Sequence, residues 1–392
     1  MHRCYADLHI HIGSAQGRAV KITASRQLTL RNVLFQDAPR KGLDMVGIVD
    51  TCSPLVSAEI EAMLKNGDMI EQPGGGFLAH NGVVLIAGCE IETREGIHII
   101  IYLPDLHSIR GVQKYLYSRV KNPCLSTQIA RCSTLDLINL AVLFNGILCP
   151  AHVFTPHKGI YGCWTRRWAE VLGQAAGQIK VLELGLSSDT NMADCIAETR
   201  SLTFLSNSDA HSSANIGREY NLLRMKSNNF QELQLCLGKS SGRNVIANYG
   251  LDPWLGKYHR SYCKNCRRIA VEAAPVLHCP LCGGDDIVMG VYDRIVAIRD
   301  YEQPRHPVGR PPYRYRVPLK DLPGVGPRTL QRLWQAFPSE IYITEHAPLE
   351  QIKKVGGPAL AAMIARMRQG RLPIQPGGGG RYGKVLKGDG AD

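Results

Sequence analysis

An α/β barrel, followed by a small cysteine-rich module and a helical basic C-terminal segment, is the architecture that this 392-residue sequence predicts. Three observations predict it. Short apolar runs alternate with amphipathic stretches from residue 1 to about 240, as strands and helices do in an α/β domain. Two Cys-x2-Cys pairs lie twelve residues apart, at Cys263, Cys266, Cys279 and Cys282. Beyond Arg299 the chain turns Pro-rich and basic and carries two Gly-rich turns, each just before a Pro suited to opening a helix.

The first element is Tyr5-Ala6-Asp7-Leu8-His9-Ile10-His11, where strand alternation places His9 and His11 on one face. Further buried strands are expected at Met45 to Val49, Val83 to Ala87, Ile97 to Leu103, Gly146 to Cys149, Val181 to Leu184 and Leu202 to Leu205. Helices are expected around Leu28 to Lys41, Ser57 to Lys65, Leu135 to Phe144, Trp168 to Ala176 and Ala193 to Arg200. The ligand-type residues His9, His11, Asp50, Glu90, His152, Asp209 and His211 fall at or just after the C-terminal ends of such runs. In a barrel of βα units that end carries the chemistry, so they would gather into one pocket. His98 is the exception, near the start of a run. Gln72-Pro-Gly-Gly-Gly76 reads as a turn, because it lacks the order of a phosphate-binding loop.

Composition narrows the class. The start of the chain has no apolar signal region and no run approaches the ~20 apolar residues of a membrane span, so a soluble cytoplasmic protein is expected. Thirteen cysteines, most of them single in apolar surroundings, indicate thiols in a reducing compartment. A formal charge of +12 favours an anionic partner without naming it.

The His/carboxylate set suits two or three divalent ions, with Zn2+, Mn2+ and Mg2+ all compatible, and hydrolysis of a phosphoester. Glu90 is the natural bridge, having two carboxylate oxygens. Glu90, Asp209 and His211 are the candidate catalytic residues; the ligand set is His9, His11, Asp50, Glu90, His98, His152, Asp209 and His211. The four cysteines fill a tetrahedral structural Zn2+ site with no open position. In the third section, Pro311-Pro-Tyr-Arg-Tyr-Arg316 could stack on bases and pair with phosphates, or be an extended linker. The turns at Gly324-Val325-Gly326, with Arg328 following, and at Gly356-Gly357 look like helix-hairpin-helix units that offer backbone N–H groups to a DNA phosphate. The expected units are residues 1–250 (barrel), 254–298 (zinc module), 299–372 (basic linker and hairpins) and 373–392, a flexible Gly-rich tail.

Several motifs carry a resemblance. Asp7-Leu-His9-Ile-His11, Gly88-Cys-Glu90-Ile-Glu92, Gly96-Ile-His98, Pro150-Ala-His152 and Ser208-Asp209-Ala-His211 resemble the polymerase and histidinol phosphatase (PHP) superfamily, a distorted (β/α)7 barrel with a metal-dependent phosphoesterase centre. With Phe154-Thr-Pro-His157-Lys-Gly-Ile-Tyr161 and Ile216-Gly-Arg218-Glu219, and the cysteine and hairpin modules in the same order, the chain resembles the endonuclease Q family over residues 1 to 370. The resemblance implies a DNA repair endonuclease that cuts 5′ of uracil, hypoxanthine, xanthine or an abasic site. It assigns His9, His11, Glu90 and Asp209 to one ion, Glu90, His98 and His152 to a second, and Asp50 with His211 to a third position. That third position lacks a histidine, because Thr51 follows Asp50, and Lys21 could place a cation there instead. Tyr161, Trp164, Ser187 and Ser188 are candidates for a pocket that receives an extruded base. A small-molecule phosphoesterase of the same superfamily and a non-catalytic DNA-binding scaffold are the rival readings; the sequence names no protein partner.

Overall fold

The computed structural model describes residues 1–387. Ten strands organise it: β1 (His2–Ile10), β2 (Met45–Ile48), β3 (Val84–Glu92), β4 (His98–Leu103), β5 (Ile147–Pro150), β6 (Val181–Glu183), β7 (Thr203–Leu205), β8 (Tyr220–Met225), β9 (Asn244–Gly250) and β10 (Tyr313–Tyr315). Eight of them pair in the order β10-β9-β8-β1-β2-β3-β4-β5. The parallel pair β6-β7 fills the remaining arc: Val153 N donates to Glu183 O, and Asn248 Nδ2 to Phe204 O. The result is a distorted barrel with a mixed sheet.

β1, β2 and β3 run parallel, whereas β4 is antiparallel to both its neighbours. A tight turn at Thr93–Ile97, with Gly96 at φ 80°, reverses the chain after β3. The start of β4 therefore lies at the same end of the barrel as the finish of β3, and Glu92 pairs with His98. That reversal removes the anomaly of His98.

Helices 54–65 and 134–143 match their expected places, the first opened by Pro54 and the second by a Ser133/Asp136 capping box. The helix expected at Leu28 to Lys41 spans 30–41 with a π-helical turn at Val33–Asp37. Two expectations fail. The stretch from Trp168 is α-helical only to Leu172 and continues from Gly173 (φ 54°) as a 3-10 helix, and Ala193 to Arg200 holds no α-helix beyond Ala193, only a 3-10 turn at Ala197–Thr199. There Asp300 accepts from Ala197 N and the Thr199 hydroxyl donates to Ala193 O and Ile196 O, so the backbone closes on remote or side-chain partners. Helices Leu106–Tyr117 and Phe230–Leu237 were not expected; Asp105 and Asn229 cap them.

The four cysteines lie on a three-stranded knuckle, Arg268–Ile269, Tyr262–Cys263 and Ile287–Val288. Helix Val291–Ile298 follows and grips the barrel: Arg294 Nε donates to Tyr161 O at 2.7 Å. The segment expected to interleave with bases is instead barrel edge. β10 pairs in parallel with β9, Tyr315 donates to Asp189, and Arg316 is buried against Glu345. Its rings and both guanidiniums make contacts within the protein itself, Arg314 donating to the Tyr249 hydroxyl.

Helices Pro327–Ala336, Leu349–Gly356 and Pro358–Arg368 enclose a separate apolar core of Leu322, Leu333, Ile352, Leu360 and Ile364. Only the second Gly-rich turn joins two α-helices; the first follows a 3-10 turn, Leu319–Asp321. Lys41 bonds Glu340 at 2.8 Å and ties this core to the barrel. The tail expected to be flexible is anchored as far as it is described: Ile374–Gln375 pairs with Lys384–Val385, and Gly377 N and Gly383 N donate to Trp254 O and Leu255 O. Residues 388–392 lie outside the described part. No described helix is long and apolar enough to cross a membrane.

Gly357 sits at φ 91°, ψ 165°, a region open essentially to glycine, with free space around its missing Cβ. Gly357→Ala should therefore lower stability by about 1–3 kcal/mol through backbone strain alone. A denaturation midpoint equal to that of the parent would refute it.

Candidate metal centre and active site

The strand ends meet at Glu90. It is 3% exposed, near the end of strand β3, and its two oxygens face opposite groups. Oε1 lies 3.4 Å from His9 Nε2, 3.0 Å from His98 Nδ1 and 3.6 Å from His152 Nε2. Oε2 lies 3.4 Å from His11 Nε2 and 3.3 Å from Lys21 Nζ, and accepts from the Thr127 hydroxyl at 2.8 Å. Asp209 Oδ1 closes the first set, at 3.5 Å from both His9 Nε2 and His11 Nε2.

These distances test for a metal. Four N or O ligands about 2.0–2.1 Å from an ion in a tetrahedron sit about 3.4 Å from one another. His9 and His11 stand at that spacing from Glu90 and from Asp209, and His9, His11 and Glu90 form one compact set of donors with Asp209 beside it. His9 Nε2 and His11 Nε2 are buried with no hydrogen-bond partner, an arrangement disfavoured unless another group pairs with them. A second set, Glu90, His98 and His152, shares the Glu90 carboxylate; a third, His11, Asp209 and His211, overlaps the first. The residues fit a cluster of metal ions bridged by Glu90. At the knuckle, Cys263–Cys282 and Cys266–Cys279 sulfurs are each 3.8 Å apart. Tetrahedral thiolates held at about 2.3 Å from zinc stand about 3.8 Å apart, so that site fits too.

Behind the donors stands a layer that the sequence reading did not resolve. Asp50 was expected as a ligand, but it points away from the centre: it accepts from His11 Nδ1 at 3.0 Å and Ile12 N at 2.5 Å. It fixes the His11 ring and leaves Nε2 as the donor. Glu183 does the same for His9, at 3.0 Å from Nδ1, and also accepts from Asn207 and from His152 N. It is fully buried at the end of β6. Its only signal in the sequence was a carboxylate inside an apolar run. Asp7 accepts from Ser208 N and Gly217 N and so holds the loop of Asp209 and His211 against β1.

Burial and charge oppose each other here. Burial pushes the Glu90 carboxyl up, but His98, Lys21, His11 and His152 outweigh it and hold it well below the carboxylate range. Asp209 is likewise held down by His9, His11 and His211 against burial. Burial lowers the His11 imidazole and Lys21 lowers it further, yet Asp50 and Asp209 prevail and carry it up to about 9. His211, partly buried and beside His11, is pushed down to about 4. Its Nδ1 faces Asp209 O at 3.0 Å, so that nitrogen carries the proton and Nε2 is free. His152 and Asp209 both have left-handed backbone, φ 31° and φ 46°, a strain that accumulates where side chains must be aimed.

The expected base-pocket residues do not gather at this centre. Tyr161 is fully buried, stacked on Phe154 and Trp168, and donates to Glu198 at 2.8 Å. Ser188 is buried and donates to Leu184 O; Ser187 packs on Gly256; Trp164 is half-buried against the barrel core. An aromatic-rich loop near a site is first a packing element.

Comparison with known proteins places this geometry. A family profile described as PHP-associated matches residues 188–234. A Bacillus subtilis (strain 168) relative, uncharacterized protein YqxK, is 40% identical and covers 98% of this chain and all of its own length. The crystal structure of the lesion-specific endonuclease PfuEndoQ from Pyrococcus furiosus is similar with a TM-score of 0.83 and 31% identity, over 98% of this chain and 95% of that one. This chain belongs to the endonuclease Q family. It is a metal-dependent hydrolase of the nuclease class. A second structure of that family, endonuclease Q with a 27-mer duplex substrate bearing an abasic lesion at the active site, matches with a TM-score of 0.84 and 32% identity over 98% and 96% of the two chains.

Because His9 and His11 are held protonated by their carboxylate neighbours, a metal must displace protons to bind. Affinity at the centre should therefore rise with pH toward about 9 and fall as pH drops. Calorimetry with Mn2+ in buffers of different ionisation enthalpy measures the release; pH-independent affinity would contradict it. In the same titration Glu183→Gln and Asp50→Asn should each weaken binding by about 10–100-fold, as loss of an orienting carboxylate does.

Proposed function

We propose that this protein is a DNA repair endonuclease that hydrolyses the phosphodiester 5′ of a deaminated base (uracil, hypoxanthine or xanthine) or of an abasic site. The observation that carries the reading is the shared carboxylate of Glu90 between two sets of metal donors in a chain of the endonuclease Q family. A relative's structure with a lesion-bearing duplex at its active site supports DNA as the substrate.

His9, His11, Glu90 and Asp209 would hold one ion, and Glu90, His98 and His152 another. Metal bound there supplies a low-pKa water as nucleophile and charge for the phosphate oxygens. The chain's own groups do the rest. His211 presents a neutral imidazole with a free Nε2, able to take a proton or a ligand at the edge of the centre. Lys21 adds a fixed positive charge beside Glu90, where a third ion would otherwise go. Thr51 supplies no imidazole there, and its hydroxyl donates to Gly88 O. The reading is therefore a two-ion centre. The Gly-rich turns at Gly324-Val325-Gly326 and Gly356-Gly357, with Arg328, would hold DNA phosphates; Val325 N and Gly357 N already donate to Leu322 O and Lys353 O, which leaves the N–H groups of Gly324 and Gly326 for the first turn. Val325 itself is buried, and a Cβ on Gly356 would meet Leu360, so those two positions act through packing.

Purified protein given a labelled duplex with one deoxyuridine or abasic site, and Zn2+, Mn2+ or Mg2+, should cut immediately 5′ of the lesion and leave a thymine control intact. Asp209→Asn should abolish the cut. Cleavage of small phosphomonoesters with no DNA incision would overturn the reading. Metal analysis should return two ions at the catalytic centre beyond the one at the cysteines, and a third tight ion would refute the role given to Lys21.

A further inference from the structure

Between the barrel and the C-terminal tail lies a cleft of about 620 Å³ that the catalytic reading does not use. One end is the loop after the metal centre: Arg218 and Asn215 line it, and Arg218 Nε donates at 2.8 Å to Ser208 O, the residue before Asp209. The other end reaches Pro323, at the first Gly-rich turn. The tail forms one wall. Tyr382 is held there by Arg218, whose Nη1 donates to its hydroxyl at 3.3 Å and whose guanidinium lies 5.6 Å from the ring centre, and by Lys257, 5.8 Å from the same ring.

Four cations line the cleft, Arg218, Lys320, Lys384 and Lys387, against one carboxylate, Asp321. Lys384 and Lys387 are exposed, while Lys320 is half-buried and held toward the barrel loop by Asn215 Oδ1 at 2.7 Å. Burial pushes its ammonium down, and Lys41 and Arg218 add to that although Asp321 opposes them. Like charges crowded on a half-buried wall favour a polyanion that neutralises them.

We infer that this cleft is the track of a DNA strand between the metal centre and the first Gly-rich turn, with Lys320, Lys384 and Lys387 on its phosphates and the tail as its wall. The inference rests on the proposed DNA substrate and adds the path to it. It also gives the tail an ordered role: residues that looked like an appendage in the sequence complete a binding surface.

The test is the salt dependence of duplex binding, read by fluorescence anisotropy with an abasic-site duplex between 50 and 200 mM KCl. Each phosphate contact contributes about 0.9 to the slope of log affinity against log salt. The triple variant Lys320→Ala, Lys384→Ala, Lys387→Ala should reduce that slope by about 2.7, and the corresponding triple Lys→Arg variant should restore it. A reduction under about 1.8, less than two contacts, would overturn the inference while leaving the function intact if the parent protein still cuts at the lesion. A parent that neither binds nor cuts the duplex would overturn the functional reading and the track together. Thermal melting of each variant separates loss of contacts from loss of fold.

Discussion

Burying a carboxylate is costly unless positive or hydrogen-bonding partners surround it, and Glu90 is surrounded by His9, His11, His98, His152, Lys21 and Thr127. Those partners come from β1, the loop after it, β4, the end of β5 and the 120s loop. Satisfying one charge thus fixes the relative placement of nearly half the barrel. The reversal of β4 follows from the same requirement, since only an antiparallel neighbour brings His98 back beside the end of β3. The centre and the fold are one constraint.

Around it the carboxylates divide into two kinds by what they face. Glu90 and Asp209 face orphaned imidazole nitrogens and are held ionised. Asp50 and Glu183 face the opposite ring nitrogens and fix each imidazole's tautomer and direction. Asp7 serves the loop instead. Buried and bonded to backbone N–H groups, its carboxyl is still pushed up to about 6, burial being the dominant cause. An acid so placed stabilises the loop through hydrogen bonds more than through charge.

The C-terminal half is bound to the barrel by polar contacts as specific as those of the centre. Arg294 holds the loop that follows His152, Arg310 is buried on Phe204 and bonds Asp194, and Lys41 reaches Glu340. Cations that suggested nucleic acid in the sequence are in part internal clamps. Lys41 and Arg310 each neutralise a carboxylate that the net charge already counts, so these pairs lower the number of free cations and leave the net charge of +12 unchanged.

Local patterns were legible in the sequence because their physics is local. Alternation put His9 and His11 on one face, the Cys spacing set a tetrahedral site, and the Gly-Pro turns marked helix starts. The apolar strand runs were equally plain, since a buried strand is apolar on both faces whatever its direction, whereas Tyr220–Met225, Asn244–Gly250 and Tyr313–Tyr315, which carry Asn, Arg and Tyr, were not read as strands. Which group a side chain meets across the barrel was not legible. Asp50 turned out to orient His11, Glu183 emerged from an apolar run, Tyr161 went to the core, and the Tyr-Arg segment became an edge strand. Periodicity gives the face a residue presents, but strand direction, closure of the barrel and burial decide what lies opposite. Only the tertiary structure brings those remote groups within hydrogen-bonding distance.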